Sequence, residues 1–197
     1  VYSKESGDKI ITKVLMNPPF ALKNSDEKEY KFVQRALDQM DDGGILFSIL
    51  PISVMFEGGE LKLWRQSKLL KENTLLSVVT FHAELFCPIG TNTIGIFIKK
   101  GVPHPKSQKV LWARVLRDGF LKKKGRRLPF HKEKNELGII MPNIKAFIQN
   151  PKFSFKGVKE FCKLSRIDFS DPLLELVPEA YLDSKPVSSR KLQEGID

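Results

Sequence analysis

Cysteine and histidine are scarce in this chain, and their placement removes two common ways of building a site. Cys87 and Cys162 stand far apart with no Cys-x-x-Cys spacing, so neither a disulfide framework nor a cysteine zinc site is signalled. Both are expected to be plain buried thiols. His82, His104 and His131 show no ligand spacing such as His-Glu-x-x-His, which leaves a metal mechanism without support. No apolar run approaches the roughly 18 residues that a membrane span needs. The opening "VYSKESGDKI" has neither the apolar core nor the cleavage site of a signal peptide, so a cytoplasmic chain without a membrane partner is expected. Internal repeats and low-complexity tracts are absent too, and 197 residues at 41% hydrophobic content are enough for one good core or two small ones.

What is present in excess is positive charge, and it is unevenly placed. The chain carries a formal net charge of +10. Residues 1–60 hold 7 Lys or Arg against 10 Asp or Glu, whereas residues 99–134 hold 13 against 2. Clustered Lys and Arg are what phosphate binding requires, so a polyanionic partner at that one region is a natural reading. A solvated lysine-rich loop is the plainer alternative.

Along the chain, Ile10 to Met16 reads as a short buried strand stopped by proline. The segment after it reads as a helix, with Asn24 and Glu27 spaced as a capping box, Tyr30, Val33, Leu37 and Met40 on one face, and Gly43-Gly44 ending it. "ILFSILP", Ile45 to Pro51, is a continuous apolar run of the kind that a strand covered on both faces needs. A second helix places Leu61, Trp64 and Leu69 or Leu70 inward and closes at Asn73, and Thr74 to Phe81 is again a buried strand. Thr91 to Lys100 follows too closely for the helical crossover that parallel neighbours require, which makes that pair antiparallel.

The order strand, helix, strand, helix, strand, reversed strand describes an α/β sheet. Beyond Gly101 the pattern weakens: "QKVLWARVL" suits a strand, Asp118-Gly119 a hairpin turn, and "NIKAFIQN" a helix begun by Asn143. Residues 165–197 are polar and carry Pro172, Pro178 and Pro186, as a surface segment or linker does. The expected organisation is a catalytic-looking α/β part over residues 1–101, a basic extension over 102–164, and a C-terminal surface segment or linker over 165–197.

Asn17-Pro18-Pro19-Phe20 sits at the end of the first strand, and the carboxyl ends of parallel strands are where open α/β sheets place their ligands. The residue types suit methyl transfer to the exocyclic amine of adenine. That nitrogen is a poor nucleophile because its lone pair is delocalised into the ring. Acceptors for both of its N–H groups favour a tetrahedral nitrogen, and the Asn17 side-chain oxygen with the Pro18 carbonyl are such a pair. The prolines fix φ and push the preceding residue toward extended conformations, which keeps the carbonyls aligned. Phe20 offers a face on which a base turned out of a duplex stacks. An ordinary strand-to-loop turn is the bland account, since Asn-Pro commonly initiates turns.

With the residues that follow, the motif resembles that of S-adenosylmethionine-dependent amino-methyltransferases, and more narrowly the N-6 adenine DNA methylase family of type I restriction-modification subunits and type IIG fusions. The resemblance runs through Gly43-Gly44, Leu50-Pro51, Met55 to Gly59, Arg65 to Asn73, the Thr91-Asn92-Thr93 loop and "RDGFLKKKGRR", Arg117 to Arg127. It covers Ile11 to Pro129 well and the remainder loosely, with "LVPEAYLDS" similar to the segment that leads toward a specificity domain in fused enzymes.

The resemblance implies the C-terminal half of a Rossmann-like methyltransferase sheet with a reversed terminal strand, plus a less regular C-terminal extension. It implies a catalytic set of Asn17, Pro18, Pro19 and Phe20, with S-adenosylmethionine as cofactor and Asn17 as its one contact here. Phe86 stands by position as a second aromatic near the flipped base; a core phenylalanine fits its spacing equally. Lys122, Lys123, Lys124, Arg126 and Arg127 are implied to contact DNA phosphates, and the implied partners are DNA, a specificity subunit or domain, and a polypeptide supplying the cofactor-binding half. Two departures stand out. His82-Ala83-Glu84 replaces the family's usual Leu-Pro, and the Phe-x-Gly-x-Gly cofactor loop is expected upstream of Val1, so that this chain is a fragment or split part, inactive alone. Asn-Pro-Pro-aromatic motifs also serve ribosomal RNA guanine and protein-glutamine methylation, and a non-catalytic DNA-binding or assembly module with the same fold is the remaining alternative.

Overall fold

A computed structural model describes residues 10–20, 28–86, 90–130, 134–150, 152–153 and 161–183. Its centre is a six-stranded sheet in the order β1-β2-β4-β3-β5-β8, built from β1 (Lys13–Met16), β2 (Ile45–Pro51), β3 (Thr74–Phe81), β4 (Thr93–Lys99), β5 (Lys109–Val115) and β8 (Cys162–Arg166). A separate two-stranded ribbon pairs β6 (Phe120–Lys123) with β7 (Arg126–Pro129). β1 runs parallel to β2, and β3 to β5, whereas β4 is antiparallel to both β2 and β3. The reversed strand expected from the short connection is therefore present, inserted between β2 and β3.

Side-chain alternation sorts the strands into two cores. Leu46 and Leu50 of β2, Ile94, Ile96 and Ile98 of β4, and Val110 and Trp112 of β5 face one side. Val79 and Phe81 of β3 and Leu111, Ala113 and Val115 of β5 face the other. The first side is covered by α1 (Glu29–Gln39) and by α2 (Gly59–Trp64), which continues through a π-turn over Arg65–Leu69 into α3 (Leu70–Glu72). Tyr30, Val33, Leu37 and Met40 form the predicted stripe, each contributing roughly 1.5–3 kcal/mol by burial. The second side is covered by α4 (Leu137–Gln149) through Ile140, Ile144 and Phe147. Among the described residues, no helix is long and apolar enough to cross a membrane.

Several sequence expectations give way to long-range packing. β1 is not buried: among the described residues it has one strand neighbour, β2, and it leaves Leu15 82% exposed. β2 is fully buried on one face only, while β3 is buried along its whole length. The Asn24–Glu27 capping box lies outside the described residues. α4 begins at Leu137 rather than Asn143 and runs through Pro142, because the Asn135 side chain accepts from the Leu137 N–H at 3.0 Å and Ile140, Ile144 and Phe147 anchor both sides of the proline. The basic extension over 102–164 does not stand apart, since β5 pairs with β3 inside the sheet. Nor are residues 165–182 a surface linker. β8 pairs antiparallel with β5, and Ile167, Leu174, Leu176, Val177 and Leu182 enter the first core. Tyr181 stacks flat on Trp112 with ring centres 3.8 Å apart, and its hydroxyl donates to the Glu175 carbonyl at 3.1 Å.

One buried charge holds this C-terminal segment down. Arg65 is fully buried and donates to four backbone carbonyls: Val54 and Glu57 at 2.8 Å, Leu173 at 2.9 Å and Leu174 at 3.1 Å. Burial pulls its guanidinium down to about 10, against the opposing charges of Asp171, Glu175 and Glu57, so it remains a cation at neutral pH.

Candidate functional site

Strand direction decides where the loops gather. β1, β2, β3 and β5 all point one way, so their carboxyl ends share one edge of the sheet with the amino end of β4. Asn17 to Phe20 follow β1, Ile52 follows β2, His82 to Phe86 follow β3, Thr91 and Asn92 precede β4, and the ribbon follows β5. This is the edge at which open α/β sheets bind ligands. The Asn92 carbonyl accepts from the Ile52 N–H at 3.0 Å, tying the Thr-rich loop to the end of β2.

Within the tetrapeptide, Asn17 is exposed, Pro18 buried, Pro19 exposed and Phe20 half-buried. The buried proline seats the loop, and the amide is left outside the core. Phe20 meets Phe86 edge to face, ring centres 5.9 Å apart and planes inclined by 68°. Residues 66 positions apart are thus brought together. Phe86 ends the short 3-10 turn Ala83–Phe86 and is itself half-buried.

The basic run forms the β6–β7 ribbon. Its turn lies at Lys124-Gly125, both left-handed with φ of 50° and 74°, and not at Asp118-Gly119 as the sequence signal indicates. Lys122, Lys123, Lys124 and Arg126 are exposed, four cations on one projecting element. Arg127 differs. It pairs with the carboxylate of Asp118, donates to the Leu85 carbonyl at 3.3 Å, and lies 4.8 Å from the centre of the Phe120 ring.

Asp118 is 3% exposed. Burial by itself raises its carboxyl, but the contacts with His82 at 3.1 Å, Arg127 and the Phe120 N–H at 3.1 Å outweigh it and hold the group below its ordinary value. Glu136, equally buried, fixes the root of the ribbon by accepting from the Leu116 N–H at 2.7 Å and the Arg117 N–H at 3.1 Å. Sequence reasoning assigns no site role to Asp118, His82 or Glu136: Asp118 reads there only as a turn residue and His82 only as a departure from the resembling family. The one available signal was His82 itself, standing where the resembling family has Leu-Pro.

Comparison with known proteins follows the same lines. The model of the family described as N-6 DNA Methylase matches residues 2–185. Over 118 residues the chain is 32% identical to the type II restriction enzyme and methyltransferase RM.BcgI of Heyndrickxia coagulans, covering 58% of this chain and 18% of that protein. Its fold is similar to the methyltransferase subunit of a type I restriction-modification system from Streptococcus thermophilus, with a TM-score of 0.66 and 17% identity over 91% of this chain and 40% of that one. A chain from a type I R-M system complex gives a TM-score of 0.62 and 18% identity, covering 96% of this chain and 42% of that one. The chain therefore spans about a fifth of the curated relative and about two fifths of the solved subunits.

Proposed function

The chain belongs to the N-6 DNA methylase family, and from that premise we propose that it carries the base-binding and nitrogen-activating part of an adenine-N6 DNA methyltransferase in a restriction-modification system. The observation that carries this reading is the convergence of an exposed Asn17, the edge-to-face pair of Phe20 and Phe86, and a ribbon of exposed cations at one sheet edge.

In this reading the ribbon's Lys122, Lys123, Lys124 and Arg126 neutralise backbone phosphates and hold the duplex against the edge. A target adenine leaves its stack and lies on one ring of the aromatic pair, a contact worth about 1–3 kcal/mol. The Asn17 side-chain oxygen and the Pro18 carbonyl accept the two N–H groups of its exocyclic amine. The nitrogen lone pair is then released from the ring and turned toward the methyl donor, with the acceptors already in place before charge develops. No base removes a proton beforehand, which is consistent with an amide at this position.

S-adenosylmethionine, when bound, supplies the electrophilic methyl group. The exposed amide of Asn17, at the end of β1, fits a polar contact to it. Its remaining contacts are assigned to another polypeptide segment; among the described residues β1 pairs with β2 on one side only, and Leu15 is 82% exposed. A specificity subunit or domain completes the assembly. Alone, the chain is expected not to turn over.

The test is reconstitution with a polypeptide that supplies the cofactor-binding half, DNA and methyl-labelled cofactor. N6-methyladenine in the product and a loss of about 10²–10³ in kcat for Asn17→Ala are expected. Methylguanine, a labelled protein glutamine, or turnover indifferent to Asn17 each overturn the proposal.

A further inference from the structure

Asp118 is a buried carboxylate for which the nitrogen chemistry has no use, and beside a phosphate-binding surface a negative charge is on its face a disadvantage. Its surroundings give it a different role. Three segments of chain converge on it: His82 from the end of β3, the Phe120 N–H at the start of β6, and Arg127 from β7. Arg127 then extends the connection, because its other guanidinium nitrogen donates to the carbonyl of Leu85, the neighbour of Phe86.

The register of the ribbon sharpens the point. Lys122 pairs with Arg127 and Lys123 with Arg126, so the two pairs occupy opposite faces. Arg127 draws its face inward. Lys123 and Arg126, with the exposed Leu121 and Leu128, are consequently turned away from the body of the protein. An ion pair on the open surface fixes little. A buried carboxylate paired with the Arg127 guanidinium, with the His82 ring nitrogen 3.1 Å away and a backbone N–H donating to it, sets both distance and direction.

We propose that Asp118 is a positioning residue: through Arg127 and His82 it fixes the ribbon's exposed cations relative to Phe86, so that phosphate contacts and the seated base are held in one register. This rests on the base-seating reading given above. It separates from simple electrostatics by sign. If Asp118 acts only as a charge, Asp118→Asn tightens DNA binding and changes nothing else. If it positions, the variant binds duplex as well as the parent or better, yet seats the base poorly.

The experiment uses the reconstituted methyltransferase with two duplexes: one carrying 2-aminopurine at the adenine found to be methylated, which reports base seating by fluorescence and binding by anisotropy, and the unmodified one, which reports turnover by methyl transfer. For Asp118→Asn the expected result is unchanged or tighter duplex binding, with the 2-aminopurine signal and kcat both reduced at least tenfold. Arg127→Lys, which keeps the charge but not the two-nitrogen reach, is expected to fall between parent and Asp118→Asn. It also carries the test alone should Asp118→Asn fail to fold by circular dichroism. The double variant Asp118→Asn with Phe86→Ala is expected to be no worse than the poorer single one. Independent, multiplying losses overturn the proposal, as does an Asp118→Asn protein that seats and methylates the base normally. A parent enzyme that gives no 2-aminopurine response sinks the base-seating reading instead, and this proposal with it.

Discussion

Arg65 offers a severe test of the fold, because one side chain joins parts of the chain more than a hundred positions apart. Its four acceptors come from the turn after β2 and from the irregular segment at Leu173 and Leu174. Hydrogen bonds to a charged donor are worth about 1.5–3 kcal/mol each when taken singly. Simple addition overstates their joint effect, since the acceptors share one donor group and relax together. Breaking a buried charged network costs about 3–5 kcal/mol, and that is the working figure here. For a chain of this length each kcal/mol lowers Tm by about 2–4 °C, so Arg65→Met is expected to melt about 6–20 °C below the parent.

Met is the informative replacement: it keeps most of the volume and removes every donor, whereas Ala adds a cavity. Hydrogen exchange gives the location of the damage. Protection is expected to fall first at Leu174 and Leu176, whose N–H groups donate to Asp171 and Met55 respectively. Arg65→Lys, with charge retained but the fork removed, is expected to recover less than half of the difference. An Arg65→Met protein within 1 kcal/mol of the parent, with the 171–176 amides still protected, refutes the argument that this cation holds the C-terminal segment in place.

Further expectations follow from the same geometry. Burial pulls the His104 imidazole from 6.5 down to about 4, with only a backbone contact to Gln108 working the other way. The unfolded chain therefore takes up that proton first: stability is full above pH 6.5 and falls as pH drops toward 4, by about 2 kcal/mol between pH 7 and 5. Urea midpoints that are equal for the parent and His104→Leu at both pH values count against it. Gly95 has no room for a methyl group, since a Cβ there meets Phe47 Cε2 at 2.8 Å and Phe81 Cε2 at 3.0 Å; Gly95→Ala is expected to cost about 1–3 kcal/mol in the same measurement. On the ribbon, replacing Lys122, Lys123, Lys124 and Arg126 together by Ala is expected to lower the slope of log affinity against log salt by about 3–4, at roughly 0.9 for each phosphate no longer neutralised. An unchanged slope removes the ribbon from the DNA interface.

Legibility in the sequence followed the range of the interactions. α1 is readable because its apolar residues recur at the helical period, and β3 because a near-continuous apolar run suits a strand buried along its whole length. The apolar content of β1 overstates its burial, because a strand's composition does not say how many neighbours it has. Pro142 indicates a helix boundary locally, yet three core side chains, Ile140, Ile144 and Phe147, carry α4 through it. The segment from Ile167 to Leu182 sends five apolar side chains into the first core with no regular element beyond a 3-10 turn at Pro178–Ala180, so it has no period to detect. At the site, Asn17 to Phe20 were legible as a contiguous motif. Asp118 was not: its local signal is a turn, and its meaning comes from His82, 36 positions earlier, and from Arg127.

The geometry of the aromatic pair allows a finer statement about which ring does what. At an inclination of 68°, Phe20 and Phe86 cannot act as the two parallel jaws of a slot, and a planar base lies flat on one of them only. In the proposed reading, Phe20, four residues from the end of β1 and next to the rigid prolines, is the ring held in fixed relation to Asn17 and Pro18. Phe86 then serves as the support against which Phe20 is braced, an edge-to-face contact worth about 0.5–1.5 kcal/mol. Removing the stacking face sacrifices about 1–3 kcal/mol. Phe20→Leu is therefore expected to lower kcat/KM by roughly 5- to 150-fold and Phe86→Leu by roughly 2- to 12-fold, at 1.4 kcal/mol for each factor of ten. Leu keeps bulk in both positions, so the comparison isolates the ring face from simple cavity formation. Equal losses at the two positions, or a larger one at Phe86, contradict this division of roles and place the base on the other ring.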